Sequence, residues 1–455
     1  MPAGRTRGLE FGTAGIRGPV TDVTPELALA VGRAAGRDAV EAGASLVVGR
    51  DGRTTGESLA AAVAAGATSA GARVERAGQL PTPGLAYAAR GRYGVMLTAS
   101  HNPPGDNGIK LFDDGREYDR AAERRIERRL ADGLEPAAWD AYGDVGSTDP
   151  LPDYRARVVE YARGHGTEPE DSVAVDCGNG MASLATPQVL RELGADVRAL
   201  GADIDGRFRA RESKPTAETL MTLRRFVADG PATLGIGHDG DADRVVFVDA
   251  DGEVVHEDTV LAILAEHYVE RSDATEPVVV TTPNASSRVD ERVTAAGGRV
   301  ERVRLGALHE GIAAAGETGT VVFAGEPWKH VHPGIGGWID GVASAAVFTR
   351  LVATAGLDAL CDPVTERPYR KVSVPCPDEA KSAAMDRLAD SLPEAFPAAT
   401  VDTDHGVRLD LPDGSWLLVR PSGTEPYIRL YVESESVDQL VGEARAFVER
   451  AIDDS

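Results

Sequence analysis

The chain has 455 residues, of which 42% are hydrophobic, so it is too long for one small domain and suggests about three or four folding units. Its formal net charge is −24, and because nucleic-acid-binding proteins usually present a basic face, that class of function is disfavoured. The sequence contains no apolar run of about 18 residues and no apolar segment near Met1, so we expect a cytoplasmic protein without a membrane span.

The predicted elements repeat one pattern three times along the chain. Short apolar runs predict strands at 45–48, 173–176 and 278–281. Each is followed by a polar turn, a helix and a closing strand, predicted at 73–78, 197–201 and 300–303. Continuous apolar strands that alternate with helices favour parallel α/β sheets.

Each repeat then continues into a further strand that ends in a polar loop. These strands are predicted at 94–97, 232–236 and 321–324, and their loops at 98–102, 239–244 and 325–330. Ligands of open α/β sheets bind at the carboxyl ends of strands, so the three loops are expected to line one site.

After about residue 365 the pattern changes to strands at 408–411, 416–419 and 427–433 and a helix at 437–452. The predicted fold class is therefore α/β, with three similar α/β domains followed by a smaller α+β domain at the C-terminus. We place the four domains at 1–145, 150–250, 252–362 and 368–455, because the segments between them are rich in Asp, Gly or Pro.

The second loop carries three aspartates at alternate positions, Asp239, Asp241 and Asp243. Alternate residues of an extended chain face the same way, and three converging carboxylates repel one another unless a cation lies between them. Oxygen ligands favour Mg²⁺ or Ca²⁺. An EF-hand is excluded because Arg244 and Ala250 occupy the positions that need Gly and Glu. The glycine pattern at 235–240 leads into a strand rather than a helix, so a dinucleotide site is rejected.

The first loop places Ser100 between a strand end and two prolines. No Gly-x-Ser-x-Gly elbow is present, so a hydrolase of that kind is unsupported. If Ser100 is phosphorylated, its charge makes it a natural fourth ligand for a metal held by the aspartates. Lys110 could then donate to a bridging oxygen or carry a proton, while an ordinary turn serine remains the alternative.

Two further segments have the composition of anion-binding loops. Arg17 lies in a glycine-rich stretch at 12–18, where glycines let the backbone approach an anion closely. The segment 420–426 joins an arginine to two hydroxyls and a glycine between strands, and Arg429 follows on the next strand. In the third loop, a polyol could be contacted by Glu326, an exposed Trp328, Lys329 and His330.

Taken together, these loops resemble those of the α-D-phosphohexomutases, the phosphoglucomutase/phosphomannomutase superfamily that includes phosphoglucosamine mutases. The resemblance covers nearly the whole chain, with the loops in the family's order. It implies four domains around a central cleft, and it implies that Ser100 is a phosphoserine beside Mg²⁺. The metal ligands would be Ser100, Asp239, Asp241 and Asp243.

The resemblance also implies roles for the other loop residues. Its catalytic group comprises Ser100, Lys110, Arg17 and His101. The expected substrate-binding residues are Glu326, His330, Arg420, Ser422, Gly423, Thr424, Arg429 and Arg244. The expected reaction interconverts hexose 1-phosphate and hexose 6-phosphate of the glucose or mannose type through a bisphosphorylated sugar, in a monomer or small homo-oligomer.

One departure from the family pattern concerns the third loop, which usually reads Gly-Glu-x-Ser-Gly-His. Here Gly325, Glu326 and His330 match, whereas Trp328 replaces the serine and Lys329 the glycine. The identity of the sugar therefore cannot be carried over, and a phosphoglucosamine mutase is the alternative. A sugar-phosphate-binding protein without turnover and a phosphatase are more distant alternatives.

The acidity of the chain suggests adaptation to high salt, since 43 of its 48 basic residues are arginine. A GC-rich genome, which favours Arg over Lys, is a compatible explanation. Salt shortens the range of charge repulsion from about 10 Å at 0.1 M to about 3 Å at 1 M. We therefore expect the unfolding temperature to rise with KCl over that range, measured by differential scanning calorimetry. An unfolding temperature that does not rise with KCl would contradict the adaptation.

Overall fold

The computed structural model describes residues 15–422 and 426–453 and shows two compact units. The first unit comprises the chain up to Glu257 together with Trp328–Leu360, and the second comprises Asp258–Pro327 together with the chain from Cys361 onward. Across the described residues, none of the helices combines the length and the apolar character that a membrane crossing requires.

The first sheet lies in the first unit and carries the serine loop. Its strands are β1 (Ile16–Pro19), β2 (Leu46–Arg50), β3 (Val74–Gln79), β4 (Tyr93–Leu97), β5 (Asp106–Asp113), β6 (Arg116–Glu117) and β7 (Val145–Ser147). The order is β1-β5-β4-β2-β3-β7, with β6 on β5. Its helices are α1 (Pro25–Glu41), α2 (Gly56–Ser69), α3 (Thr82–Ala88) and α4 (Arg120–Asp132).

This first sheet is mixed rather than parallel. The predicted strands β2, β3 and β4 pair in parallel, but β5 runs antiparallel to both β4 and β1. The chain reverses after the serine loop, because the turn at the two prolines returns it along β4. Lys110 therefore lies on a strand in the sheet and not on a loop.

The second sheet carries the aspartate loop and has the order β11-β10-β8-β9. Its strands are β8 (Ser172–Asp176), β9 (Asp196–Leu200), β10 (Ala232–His238) and β11 (Val245–Val248). A 3₁₀ turn at Met181–Leu184 accompanies the helices α5 (Leu151–Arg163), α6 (Thr186–Glu192) and α7 (Met221–Ala228). Strands β10 and β11 are antiparallel, so the aspartates occupy the connection between them.

The third sheet lies in the second unit, where β12 pairs in parallel with both β13 and β14. The elements of this segment are α8 (Glu257–Glu270), β12 (Pro277–Thr281), α9 (Ser287–Ala295), β13 (Arg299–Arg302), α10 (Leu308–Ala315) and β14 (Thr320–Glu326). The chain then contributes β15 (Lys329–Val331), α11 (Gly341–Ala355) and most of α12 (Leu357–Cys361) to the first unit.

The fourth sheet is antiparallel, in the order β16-β20-β19-β18-β17, and confirms a C-terminal α+β region. Its elements are β16 (Tyr369–Pro375), α13 (Lys381–Ala395), β17 (Thr400–Asp402), β18 (Val407–Asp410), β19 (Trp416–Pro421), β20 (Tyr427–Glu433) and α14 (Val437–Asp453). The predicted strands and helix of this region correspond to β18, β19, β20 and α14, whereas β16, β17 and α13 were not predicted.

A buried ion pair joins the third and fourth sheets inside the second unit. Arg288 on α9 lies 3.2 Å from Glu433 on β20, and both side chains are fully buried. Glu433 also accepts hydrogen bonds from Ser286 Oγ at 2.8 Å and Trp416 Nε1 at 3.1 Å. Because a buried charge is costly without its partner, these contacts make the two sheets interdependent.

Candidate functional site

Three carboxylates meet in the turn between β10 and β11. Asp239, Asp241 and Asp243 are fully buried, and one ligand atom from each lies within 4.8 Å of the others. Ala242 adopts a positive φ of 58°, which turns the backbone inside the motif. The three side chains do come together, as predicted, but in a turn between two strands and not along extended backbone.

The carboxylates are not electrostatically equivalent. Burial, reinforced by the charges of Asp243 and Asp241, raises the pKa of Asp239 well above its usual value. For Asp243, burial opposes ionisation, but Lys110, Lys329 and Arg244 outweigh it and hold the pKa well below its usual value. Lys110 Nζ lies 2.9 Å from Asp243 Oδ2, which accounts for much of the difference.

The donor set fits a hard divalent cation. Asp241 Oδ1 and Asp243 Oδ1 are buried and have no hydrogen-bond partner among the described residues. Buried polar atoms without a partner are costly, and an ion bound between the carboxylates would satisfy both. A second interaction fixes the site, since Thr82 Oγ1 donates to Asp241 Oδ2 at 2.6 Å. The cluster agrees with the predicted metal-binding loop.

Ser100 lies directly beside this cluster. Its Oγ donates a hydrogen bond to Asp239 Oδ2 at 2.6 Å, and the residue is fully buried. The serine adopts a positive φ of 49°, an uncommon conformation for a residue with a side chain. Gly240 permits the close approach, because a Cβ there would lie 2.8 Å from the Ser100 carbonyl oxygen. The two predicted loops thus form one site.

Arg53 holds the serine loop in this conformation. The side chain is 1% exposed, and its Nη2 donates to the carbonyls of Ser100 at 2.9 Å and Asn102 at 2.7 Å. Its Nη1 donates to two further carbonyls of the loop, at 2.6 and 2.8 Å. Asp51 orients the guanidinium from 3.1 Å, and Ser213 Oγ gives the Ser100 carbonyl a second donor at 2.8 Å.

Further cations surround the serine and the aspartates. Burial works against the charge of Lys110, but Asp243, Glu117 and Asp241 outweigh it and raise its pKa, so Lys110 is an ammonium group at neutral pH. Arg244 Nε lies 3.8 Å from Asp239 Oδ2. This arrangement favours the hydrogen-bond donor role of Lys110 over that of a proton carrier.

The remaining predicted residues of the serine loop also lie near the cluster. His101 Nδ1 is 3.3 Å from Ser100 Oγ. Burial, then the charges of Arg244 and Arg17, lowers the pKa of His101 to about 2, so its ring is neutral. On β1, Arg17 has two buried guanidinium nitrogens without a hydrogen-bond partner among the described residues, as expected of an arginine that awaits an anion.

The third loop differs from its prediction in one respect. Trp328 is half-buried against an apolar cluster of the second sheet rather than exposed, with Lys214 Nζ 5.7 Å from its ring centre. Packing on the fold therefore explains this residue, and the expectation of an exposed sugar platform was wrong. Lys329 Nζ lies 4.0 Å from Asp243 Oδ2, so the lysine that stands in place of the family's glycine adds a cation to the cluster.

The predicted phosphate loop lies in the second unit. Arg420 on β19 and Arg429 on β20 are directly opposite each other in the sheet register. Like charges in such positions repel, which favours an anion near them. Arg420 Nη2 contacts the Tyr431 hydroxyl at 2.9 Å, and the Ser422 carbonyl accepts from Lys381 at 2.7 Å. Gly423 and Thr424 lie outside the described residues, and Glu326 ends β14 in the same unit.

Sequence reasoning missed the residues that support the site. No role was predicted for four of them, Asp51, Arg53, Thr82 and Ser213. Two of these, Asp51 and Arg53, lie in a polar turn directly after strand β2. The available signal was that this turn directly follows a strand, as the serine loop and the aspartate loop also do. Thr82 and Ser213 are ordinary polar residues whose contacts depend on the fold.

Known proteins resemble this chain over its full length. Family models described as phosphoglucomutase/phosphomannomutase match four segments, alpha/beta/alpha domains I, II and III at 8–136, 154–252 and 256–367 and the C-terminal domain at 372–450. A crystal structure of a phosphoglucomutase/phosphomannomutase family protein from Burkholderia thailandensis shares 26% identity, with a TM-score of 0.85 over 96% of each chain.

Two curated relatives are more similar in sequence. A phosphopentomutase of Thermococcus kodakarensis is 40% identical over 453 residues, which is 97% of this chain and 98% of the relative. A probable phosphoglucosamine mutase of Methanopyrus kandleri is 42% identical over 443 residues, which is 95% of each chain.

Replacing Arg53 tests the support of the serine loop. Arg53→Met should remove the donors of four carbonyls and speed amide hydrogen exchange between Ser100 and Asp106, measured by mass spectrometry. The Ser100 carbonyl keeps its bond from Ser213, but the fully buried Asp51 loses its guanidinium partner, so the unfolding temperature should also fall. The control is Arg50→Met, which removes a partly exposed arginine that pairs with Glu57. Such an ion pair contributes less than about 1 kcal/mol to stability, so amide exchange in the serine loop should stay unchanged.

Cation binding should depend on pH because of Asp239. Because the pKa of Asp239 is raised, the metal-free folded state holds a proton on this carboxyl more tightly than the unfolded chain does. The stability that this proton contributes is lost as pH rises from about 4, the pKa of an aspartate in the unfolded chain, towards the higher pKa of the folded state. A bound cation favours the ionised form. The rise in unfolding temperature caused by MgCl₂ should therefore grow with pH in this window.

Two variants make this measurement specific. Asp241→Asn should weaken the MgCl₂ effect, whereas Asp251→Asn, an exposed aspartate after β11, should not. NaCl of equal ionic strength accounts for screening. A MgCl₂ effect that is independent of pH, or equal in both variants, would contradict a cation site at the three aspartates.

Proposed function

The chain belongs to the phosphoglucomutase/phosphomannomutase family, and from this membership we propose that it moves a phosphoryl group between two hydroxyls of an aldose phosphate through a phosphorylated Ser100. As a member it is a mutase, an intramolecular phosphotransferase. One observation supports the role of Ser100 most directly. Its Oγ lies 2.6 Å from Asp239 in a cluster of three carboxylates that fits a cation.

In the proposed reaction, a sugar hydroxyl attacks the phosphorus of phosphorylated Ser100. The new oxygen–phosphorus bond forms as the bond to Ser100 Oγ breaks, and in the balanced step the proton of the sugar hydroxyl ends on Ser100 Oγ, which becomes a free hydroxyl. The resulting bisphosphorylated sugar turns end for end and returns its other phosphoryl group to Ser100. The proposed ion is Mg²⁺, which would neutralise charge on the phosphoryl oxygens when held by the aspartates.

Several side chains act on the transferring group in this proposal. Lys110 and Arg17 donate hydrogen bonds to its oxygens, and Arg244 adds a third positive charge beside the aspartates. Such fixed donors need no rearrangement during the reaction, which is the usual source of rate in phosphoryl transfer. Arg53 contributes indirectly, by fixing where Ser100 presents its oxygen.

The phosphate that does not react needs its own site, for which we propose Arg420, Ser422, Gly423, Thr424 and Arg429. The opposed arginines of β19 and β20 support this role, since an anion relieves their repulsion. Glu326 and His330 are proposed to contact the sugar hydroxyls, because both match the family loop.

The first sugar to be tested is glucosamine phosphate. Sequence reasoning placed glucose and mannose phosphates first, but the curated relatives include several probable phosphoglucosamine mutases at 34–42% identity. Pentose phosphates form a second candidate class, because one relative at 40% identity is a phosphopentomutase.

Ser100→Ala should abolish mutase turnover while the protein stays folded, because it removes the oxygen that carries the phosphoryl group. Intact-mass spectrometry of active wild-type protein should show one added phosphoryl group, which the variant lacks. The control Ser147→Ala, at an exposed strand position, should behave like wild type. An active Ser100→Ala enzyme would exclude the mechanism.

A substrate panel identifies the sugar. Glucosamine, glucose, mannose and ribose 1-phosphates are each followed by ³¹P NMR, which separates transfer to the terminal hydroxyl from release of inorganic phosphate. Transfer supports the mutase proposal and ranks the sugars. Release of phosphate alone would indicate a phosphatase instead.

A further inference from the structure

A buried serine contacts two histidines at the start of α11. Ser344 Oγ lies 3.0 Å from His330 Nδ1 and 2.8 Å from His332 Nε2. The same oxygen lies 2.8 Å from the carbonyl oxygen of Asp340, one helical turn earlier. All three side chains of this serine–histidine group are at most 1% exposed, so water does not compete for these contacts.

These three distances fix the hydrogen positions. A hydroxyl has one hydrogen and two lone pairs, and a carbonyl oxygen only accepts. The close contact with Asp340 is favourable only if the Ser344 hydrogen points at that carbonyl. Both lone pairs are then left for the histidines, so each must donate an N–H. His330 therefore carries its hydrogen on Nδ1, and His332 on Nε2.

The acceptor in this network is itself held in place. The Asp340 carboxylate receives hydrogen bonds from Tyr154 at 2.8 Å, from Trp338 Nε1 at 3.0 Å and from the amide of Ala343 at 2.8 Å. Its backbone amide donates to the His330 carbonyl at 2.8 Å. Since these bonds fix the peptide of Asp340, the direction of the Ser344 hydroxyl is fixed as well.

We propose that Ser344 is a positioning residue that holds His330 in the Nδ1–H tautomer, so that Nε2 is the nitrogen that accepts a hydrogen from a sugar hydroxyl. This inference rests on the proposed function for the sugar contact, whereas the tautomer itself follows from the contacts of Ser344. The state of one ring nitrogen is commonly set by the hydrogen bond that the other makes. Burial also lowers the pKa of His330 to about 3, which keeps the ring neutral.

The tautomer is measured directly on the wild-type protein. The protein is labelled with ¹⁵N-histidine, and the resonances of His330 are identified by their loss in His330→Gln. Long-range ¹H–¹⁵N spectra should show a protonated Nδ1 and an unprotonated Nε2. Ser344→Ala should mix the two tautomers, and Ser344→Thr, which keeps the hydroxyl, should restore the wild-type pattern. A wild-type His330 protonated on Nε2 would overturn the proposal.

Kinetics test whether the tautomer matters for turnover. With the sugar phosphate that the enzyme turns over fastest, Ser344→Ala should lower kcat about tenfold with little change in KM, the size expected from one lost hydrogen bond. The matched control is Thr349→Val, which removes a buried hydroxyl that makes the same type of bond to Ala345 on the same helix. That variant should retain wild-type kcat and histidine spectra.

The two proposals fail in different ways. If no sugar phosphate is turned over, the proposed function fails, and the spectrum still tests the tautomer. If turnover is normal in Ser344→Ala although its spectrum shows mixed tautomers, the positioning role is overturned and the mutase proposal stands. An equal loss of kcat in Thr349→Val would attribute the effect to helix stability and would also overturn the positioning role.

Discussion

The site depends on one constraint, which is that three carboxylates lie within 4.8 Å of one another where water does not reach them. Such a cluster is unfavourable unless positive charge compensates it. Lys110 on β5, Arg244 after the motif and Lys329 on β15 supply that charge from three different segments. Each of these segments must fold correctly before the aspartates can remain buried, so the charge balance ties the site to the fold of the first unit.

The backbone conformation of Ser100, the proposed site of phosphorylation, is the second element of this arrangement. Ser100 has a positive φ, and this conformation persists because Arg53 and Ser213 both donate to its carbonyl. The same peptide faces Gly240, where a side chain would collide with it. The Ser100 backbone is thus held through its carbonyl oxygen, while its hydroxyl points at the carboxylate of Asp239.

The sequence was sufficient for the parts of the site that depend on local pattern. The spacing of the three aspartates marked them as a cluster, although a turn and not extended backbone brings them together, and the position after a predicted strand marked Ser100. It was insufficient where long-range pairing decides. No strand was predicted around Lys110, because β5 runs antiparallel to β4 and so falls outside the repeated pattern of parallel strands. Trp328 was expected at the surface, since no local signal shows that an apolar cluster of the second sheet lies beside it. The domain boundaries stay predictions.

The ion pair between Arg288 and Glu433 has a consequence for how such a chain can be shortened or recombined. A fragment that ended before β20 would keep the guanidinium of Arg288 in the protein interior without Glu433, with only the exposed Glu366 left as a partner at 3.4 Å. Gene fusions or expression fragments that separate the third sheet from the fourth are therefore expected to yield insoluble or protease-sensitive material.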